Sequence, residues 1–475
     1  MIRRTLGFAS FASALALTGC TGLSLGENDP NGNLGSYLGD GRVAVDPVTE
    51  TAFTLVERTD SKTLAKSQLL FGVKAGSDTA KKVIDLGDRE DPRLLFLSSG
   101  MLVMSQKGTS EEMVLLDRNS FAQKKTAIAD TWYWGTRVSA TKNYFAVADN
   151  EGLHHDIHVI DANSLETHVM PHGGDTLEAM FANDTDKLLA ISFKTAEHSA
   201  RILSWDMAAI TAAEWKTALG GEWEGKDLDI PLEGVDPDGL FSFTWVGVSP
   251  DDKLAVFPVI KFDPNAKPGD PIDQQRYELV VVHLDTGETA VVPNAKGPVG
   301  FTPDGSTIVS YDEAQDTADQ RLKLINSKTL EVDEEEVAID GGISYFVSHD
   351  NNYVVVASNW GDQSLVLFDV DNKKQTKMSG PGVSLTEFVS RSEPEQLWIV
   401  ESGTDSKTKK PFGDLFVADF QTGDVTQIPT PFEAMHIGIL PKRDELVLTD
   451  GDHGALHFFD PTKQVVVRDV KLPLE

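Results

Sequence analysis

A short turn motif returns along the chain from about residue 41 onward: an apolar residue, a small residue, a polar turn, then a second apolar run. It reads Val248-Ser249-Pro250-Asp251-Asp252-Lys253-Leu254 in one copy and Phe301-Thr302-Pro303-Asp304-Gly305-Ser306-Thr307 in another. Val138-Ser139-Ala140-Thr141-Lys142-Asn143-Tyr144 and Val347-Ser348-His349-Asp350-Asn351-Asn352-Tyr353 repeat it, with fainter copies at Val45, Phe181, Val389 and Ile439. Roughly twenty to thirty residues after most copies, a third apolar run ends in aspartate and leads into a tight turn. Examples are Val159-Ile160-Asp161, Val282-His283-Leu284-Asp285, Leu367-Phe368-Asp369 and Phe458-Phe459-Asp460. Each unit is predicted as a four-stranded antiparallel meander of roughly forty to fifty residues.

Such a meander buries neither face alone. Stacking units around an axis covers both faces and leaves only short edges. Units begin near residues 41, 92, 131, 175, 240, 297, 342, 383 and 432. Single rings commonly hold about four to eight blades. The spacing therefore predicts an all-β fold, a single β-propeller of eight or nine four-stranded antiparallel blades over 41–475, the first or second unit being the one open to misreading. Helical periodicity is nearly absent. Met207 to Gly221 is the one helical-looking stretch, placed between the third and fourth strands of the fourth unit. Ser249-Pro250-Asp251-Asp252 and Thr302-Pro303-Asp304-Gly305 resemble the repeats of TolB-type and WD40-like bacterial propellers. Val43-Ala44-Val45-Asp46-Pro47 and Leu284-Asp285-Thr286-Gly287 are similar to YVTN-type and quinoprotein-like repeats. These are turn signatures, and they speak to fold rather than function.

The N-terminal residues read differently. Arg3 and Arg4 precede an uncharged run from Leu6 to Leu17, too short to span a bilayer and of the length of a signal-peptide core. Cys20 is the only cysteine, so it closes no internal disulfide and builds no thiolate metal site by itself. Leu17-Thr18-Gly19-Cys20 resembles the lipobox of bacterial lipoproteins, in which the cysteine becomes the acylated N-terminus. The resemblance implies a signal peptide over 1–19, lipidation of Cys20 and, because Thr21 rather than Asp follows, the outer membrane. Residues 20–40, rich in Gly, Asn, Asp and Ser, are then predicted to be the lipidated cysteine and a flexible tether.

Without Arg3 and Arg4 the chain carries 40 basic against 74 acidic residues, a formal charge of −34. That charge repels phosphate backbones and anionic headgroups, which argues against nucleic-acid binding and against any membrane contact other than the lipid anchor. It favours solubility, or a cationic partner or divalent ions.

In a propeller meander the first-to-second and third-to-fourth connections share one face; the second-to-third connections and the links between blades share the other. The first set is mostly short here. The second holds the long loops Asp263 to Arg276, Asp312 to Gln320 and Ser402 to Gly413, so this face is predicted to carry binding. Trp132, Tyr133 and Trp134, at the link into the third unit on that face, are the candidate partner-binding residues; the alternative is that Trp132 and Trp134 pack between blades while Tyr133 points the other way. His154 and His158 are about 13 Å apart if they share a strand, too far for one ion. Asp29, Asn31, Asn33 and Asp40 have partial calcium-loop spacing, but Leu34 stands where that loop needs glycine. No haem-attachment, Walker or zinc-protease motif occurs, and the many carboxylates mark out no catalytic pair. The sequence favours a lipid-anchored envelope protein whose non-catalytic propeller binds protein partners, with no predicted catalytic residue, metal ligand or cofactor. The alternative is a lactonase-like or quinoprotein-like enzyme or small-ligand binder with a divalent cation at the central channel.

Overall fold

The computed structural model describes residues 36–37 and 42–474, leaving aside 60–62, 64–65, 132, 150–156, 171–175, 195–196, 208–227, 234, 236–246, 263–274, 303, 314–319, 338–342, 348–352, 359–364, 371, 379–386, 392–393, 405–410, 421 and 452–453. Nine sheets follow one another along the chain, each a meander of four antiparallel strands in sequence order. Their first strands begin at Val43, Glu90, Tyr133, Thr176, Gly247, Lys296, Ile343, Glu387 and Ala434. All nine units predicted from the repeat are present as blades, so the count is nine and none of the units was misread.

First strands approach the first strands of neighbouring blades, whereas fourth strands such as Gln123–Ala129 and Val465–Lys471 present mostly exposed side chains. First strands therefore line the axis and fourth strands form the rim. Apolar side chains fill the spaces between blades. Blades 4 and 5 enclose Leu189, Ile191, Ile202, Phe257, Val280 and Val282. The ring closes in the same way. Phe71 and Val73 of blade 1 pack with Val447, Leu456 and Phe458 of blade 9, without any strand exchanged between the first and last sheets. Gly438 makes this closure fit, because a Cβ there would lie 2.7 Å from Val43 Cγ1.

The repeated motif is the turn between first and second strands. Ser249 Oγ, buried, accepts the amides of Lys253 and Leu254 at 3.1 and 2.9 Å. Thr302 Oγ1 does the same for Thr307 at 3.1 Å. The fifth position of the motif takes positive φ, at Lys142, Asp252 and Gly305 alike. Aspartates that end third strands cap the next turn: Asp161 Oδ1 accepts the amides of Asn163 and Ser164, and Asp460 Oδ1 those of Thr462 and Lys463. Such side chains mimic a backbone turn, which explains their recurrence. Neighbouring turns are also tied together. Asp252 accepts the amides of Asn183 and Asp184 from blade 4 at 2.7 and 2.8 Å, and Arg391 of blade 8 donates to Asp444 of blade 9 at 2.7 Å.

Two features add to the predicted plan. Ser36 and Tyr37, within the segment predicted as tether, pair with Leu94 and Arg93 on the first strand of blade 2 and make that sheet five-stranded. Strands also extend into the predicted loop Ser402 to Gly413, where Ser402, Gly403 and Thr404 pair with Gly413, Phe412 and Pro411. The predicted signal peptide, Cys20, the partial calcium spacing, His154 and nearly all of the helical-looking stretch from Met207 lie outside the described residues.

Candidate functional site

Between blades 8 and 9, on the face of the links and the second-to-third loops, lies a cavity of about 710 Å³. Its wall is the link Pro429-Thr430-Pro431-Phe432-Glu433, completed by Asp414 and Gln427 of blade 8 and Asp450 of blade 9. Two prolines restrict the backbone of this link, and the Thr430 hydroxyl donates to the Phe432 carbonyl at 2.6 Å. Opposite, the wall needs glycine: a Cβ on Gly413 would stand 2.1 Å from the Ala434 carbonyl oxygen.

The side chains are held in place. Phe432 stacks on His457, with ring centroids 3.7 Å apart and planes 16° apart. His457 lies on the third strand of blade 9, with Nδ1 2.6 Å from Asp469 Oδ1 and Nε2 3.3 Å from Asp450 Oδ2. Burial pushes its pKa down, but the hydrogen bonds and charges of Asp450 and Asp469 outweigh that, and the net shift is upward. When protonated, the ring donates from both nitrogens while its face carries the aromatic ring. Gln427 Nε2 donates to Asp414 Oδ1 at 2.8 Å. Glu401, opposite Asp414 across the strands, has its pKa raised by burial and then by the Asp414 charge.

Three carboxylates, Asp414, Glu433 and Asp450, thus line the cavity, and among the described residues no lysine or arginine does. Among the described residues its wall carries no hydroxyl or thiol held against a base. The arrangement suits binding of a cationic or hydrogen-bond-donating group beside an aromatic face.

A second polar cluster lies at the inner rim of the same face. Glu387, at the start of the first strand of blade 8, approaches His436 Nδ1 of blade 9 at 2.6 Å and accepts the Ile437 amide at 3.3 Å. Arg42, just before the first strand of blade 1, reaches the same carboxylate at 3.6 Å. Three blades are joined there by one carboxylate. Among the described residues, no group of three or more His, Cys, Asp or Glu side chains is placed to hold a metal ion.

Of the candidates at the third link, Tyr133 is only 3% exposed and packs in the core between blades 2 and 3, its ring 5.2 Å from that of His158. Its side chain therefore packs between blades instead of facing a partner. Trp134 pairs with Ala148 in the same sheet; Trp132 lies outside the described residues. Beside them is a buried ion pair. Arg93 NH2 lies 2.8 Å from Glu111 Oε1, and the Glu111 side chain is fully buried. Burial raises the Glu111 pKa, and the neighbouring Arg93 offsets this only in part. The cavity lies on the face predicted to carry binding, but Phe432, Asp414, Asp450 and His457 were not among the predicted residues. The available signal was an aromatic residue in a short, doubly proline-restricted link.

No known protein-family model matches the chain, and no curated protein does. Solved structures resemble it in fold. A eukaryotic initiation factor, 12% identical, is matched over 86% of this chain and 93% of its own, with a TM-score of 0.53. Dipeptidyl peptidase 4 of Porphyromonas gingivalis, 9% identical, is matched over 81% of this chain and 59% of its own, with a TM-score of 0.51. TolB from Acinetobacter baumannii, 13% identical, is matched over 69% of this chain and 68% of its own at a TM-score of 0.29, too low for a structural comparison. At these identities the likeness concerns architecture alone, and with the nine four-stranded sheets it identifies the chain as a β-propeller.

Proposed function

We propose that this is an exported protein, anchored by a lipid on Cys20 to the outer membrane, whose propeller is a non-catalytic scaffold for envelope protein partners. The cavity between blades 8 and 9 is its docking site. The observation that carries this reading is the cavity wall, which among the described residues holds three carboxylates and a fixed aromatic ring and no lysine or arginine. A lysine or arginine of a partner segment finds counter-charges there and an aromatic face to lie on. The overall charge of −32 acts in the same sense by steering a basic partner inward. The test is affinity capture from solubilised membranes with wild type and with the double variant Asp414→Asn/Asp450→Asn. A partner recovered with wild type and lost at least tenfold with the variant supports the reading; equal recovery, or no partner with either, overturns it.

The alternative, an enzyme or small-ligand binder with a divalent ion at the channel, draws on the Glu387–His436 contact at the channel rim. Elemental analysis of the purified protein separates the two. A stoichiometric metal lost in Glu387→Gln favours the alternative.

A further inference from the structure

The strand at Ser36–Tyr37 gives the molecule a direction. The first strand of blade 2, Glu90–Leu97, bonds Gly100–Lys107 along one edge. Its other edge faces the axis, and there Ser36 sits opposite Leu94 and Tyr37 opposite Arg93. Ser36 and Tyr37 therefore lie inside the central channel. Every first strand runs from the link face toward the short-turn face, as Glu90–Leu97 does before its turn at Ser98 and Ser99. The pairing at Ser36–Tyr37 is antiparallel, so this segment runs the other way, entering from the short-turn face and heading for the link face. Its continuation is fixed independently. Arg42, which opens blade 1, sits at the link-face rim on the Glu387 carboxylate. Two points on the path, mid-channel and rim, give the same direction.

We infer that the propeller is threaded by its own N-terminal segment, so that the anchored molecule holds its short-turn face toward the membrane and the link face, with its cavity, away from it. The inference rests on lipidation of Cys20 for the membrane side, and on the pairing alone for the threading. Chain length supports it. From Cys20 to Ser36 the chain spans at most about 55 Å, of which roughly 10 Å is used between the level of Leu94 and the turn face. To turn the link face to the membrane, the remainder would have to cross a blade about 15 Å wide, in addition to the channel radius, and then climb a strand height of about 26 Å. That demands nearly full extension, whereas direct exit at the short-turn face demands none.

The test uses the full lipidated chain in vesicles carrying a nitroxide-headgroup lipid, with a fluorophore on Lys328→Cys at the short-turn face or on Thr109→Cys at the link face, both exposed positions. At least threefold stronger quenching at position 328 is expected. In the Ser36→Pro/Tyr37→Pro background, which removes both amide donors, the two positions should become equal. Equal or stronger quenching at 109 in the parent, or a threefold difference that survives the prolines, overturns the inference. Amide exchange on the Cys20→Ser protein tests threading apart from the anchor. An antiparallel pair bonds alternate residues, so protection is expected at one of the two amides, Ser36 or Tyr37, and its absence at both overturns threading whatever the membrane result. If Cys20→Ser stays on membranes while that amide is protected, the anchor reading fails and threading stands.

Discussion

The two faces of the ring are built from different materials. On the short-turn face a few residue types repeat from blade to blade: Ser249 and Thr302 hold their own turns, Asp161 and Asp460 cap theirs, and Asp252 ties blade 5 to blade 4. On the link face, the contacts among the described residues are singular. The stack of Phe432 on His457, the Glu387–His436–Arg42 cluster and the buried Arg93–Glu111 pair each occur at one place. Repetition marks residues that hold the fold, and departure from it marks residues free to do something else.

Substitutions on the two faces should therefore behave differently. The largest effect is expected at Arg93, since Arg93→Leu strands the Glu111 carboxylate in the core at a cost of about 3–5 kcal/mol, read by urea unfolding at pH 7. The Glu111 pKa is already raised, so at pH 4 to 5 the group takes up a proton more readily and the penalty should shrink. A penalty that does not depend on pH would mean that lost packing, not the stranded charge, is responsible. Next is Gly413→Ala, which must push the Ala434 backbone aside at about 1–3 kcal/mol. It should abolish partner capture while amide protection at the turn of Ser249 stays unchanged.

On the other face, Ser249→Ala removes the acceptor of two amides and should cost about 1 kcal/mol without altering capture. Loss of capture there would erase the distinction between the faces. The smallest effect is a trend with pH at His457. Its folded-state pKa is raised, so its stabilising contribution is complete below the unfolded value near 6.5 and is lost as pH rises through the folded value. The melting temperature of wild type should fall more steeply from pH 6 to pH 9 than that of His457→Asn. Parallel curves would show that the contacts with Asp450 and Asp469 do not favour the charged ring.

This contrast also explains what was legible in the sequence. Ser249, Asp161 and their equivalents act on amides two to five residues away, so their spacing along the chain is their geometry, and the blades could be counted from it. The site is assembled otherwise. His457 meets Asp450 and Asp469 through strand register, and Phe432 reaches His457 across 25 positions of chain. No local spacing encodes such contacts. Tyr133 illustrates the reverse. An aromatic triplet at a link suggested a surface, but alternation along the strand turns this ring into the core. The channel strand at Ser36–Tyr37 was hidden among glycine-rich residues that carry no strand pattern, because its pairing uses backbone groups alone.

The central claim, that the link face is where this propeller meets a partner, is tested most directly by photo-crosslinking in intact envelopes. p-Benzoylphenylalanine is placed at Glu433 beside the cavity or at Thr286 on the short-turn face, both exposed. A discrete protein adduct from Glu433 and none from Thr286 is the predicted result. Adducts from Thr286 with none from Glu433 would contradict it.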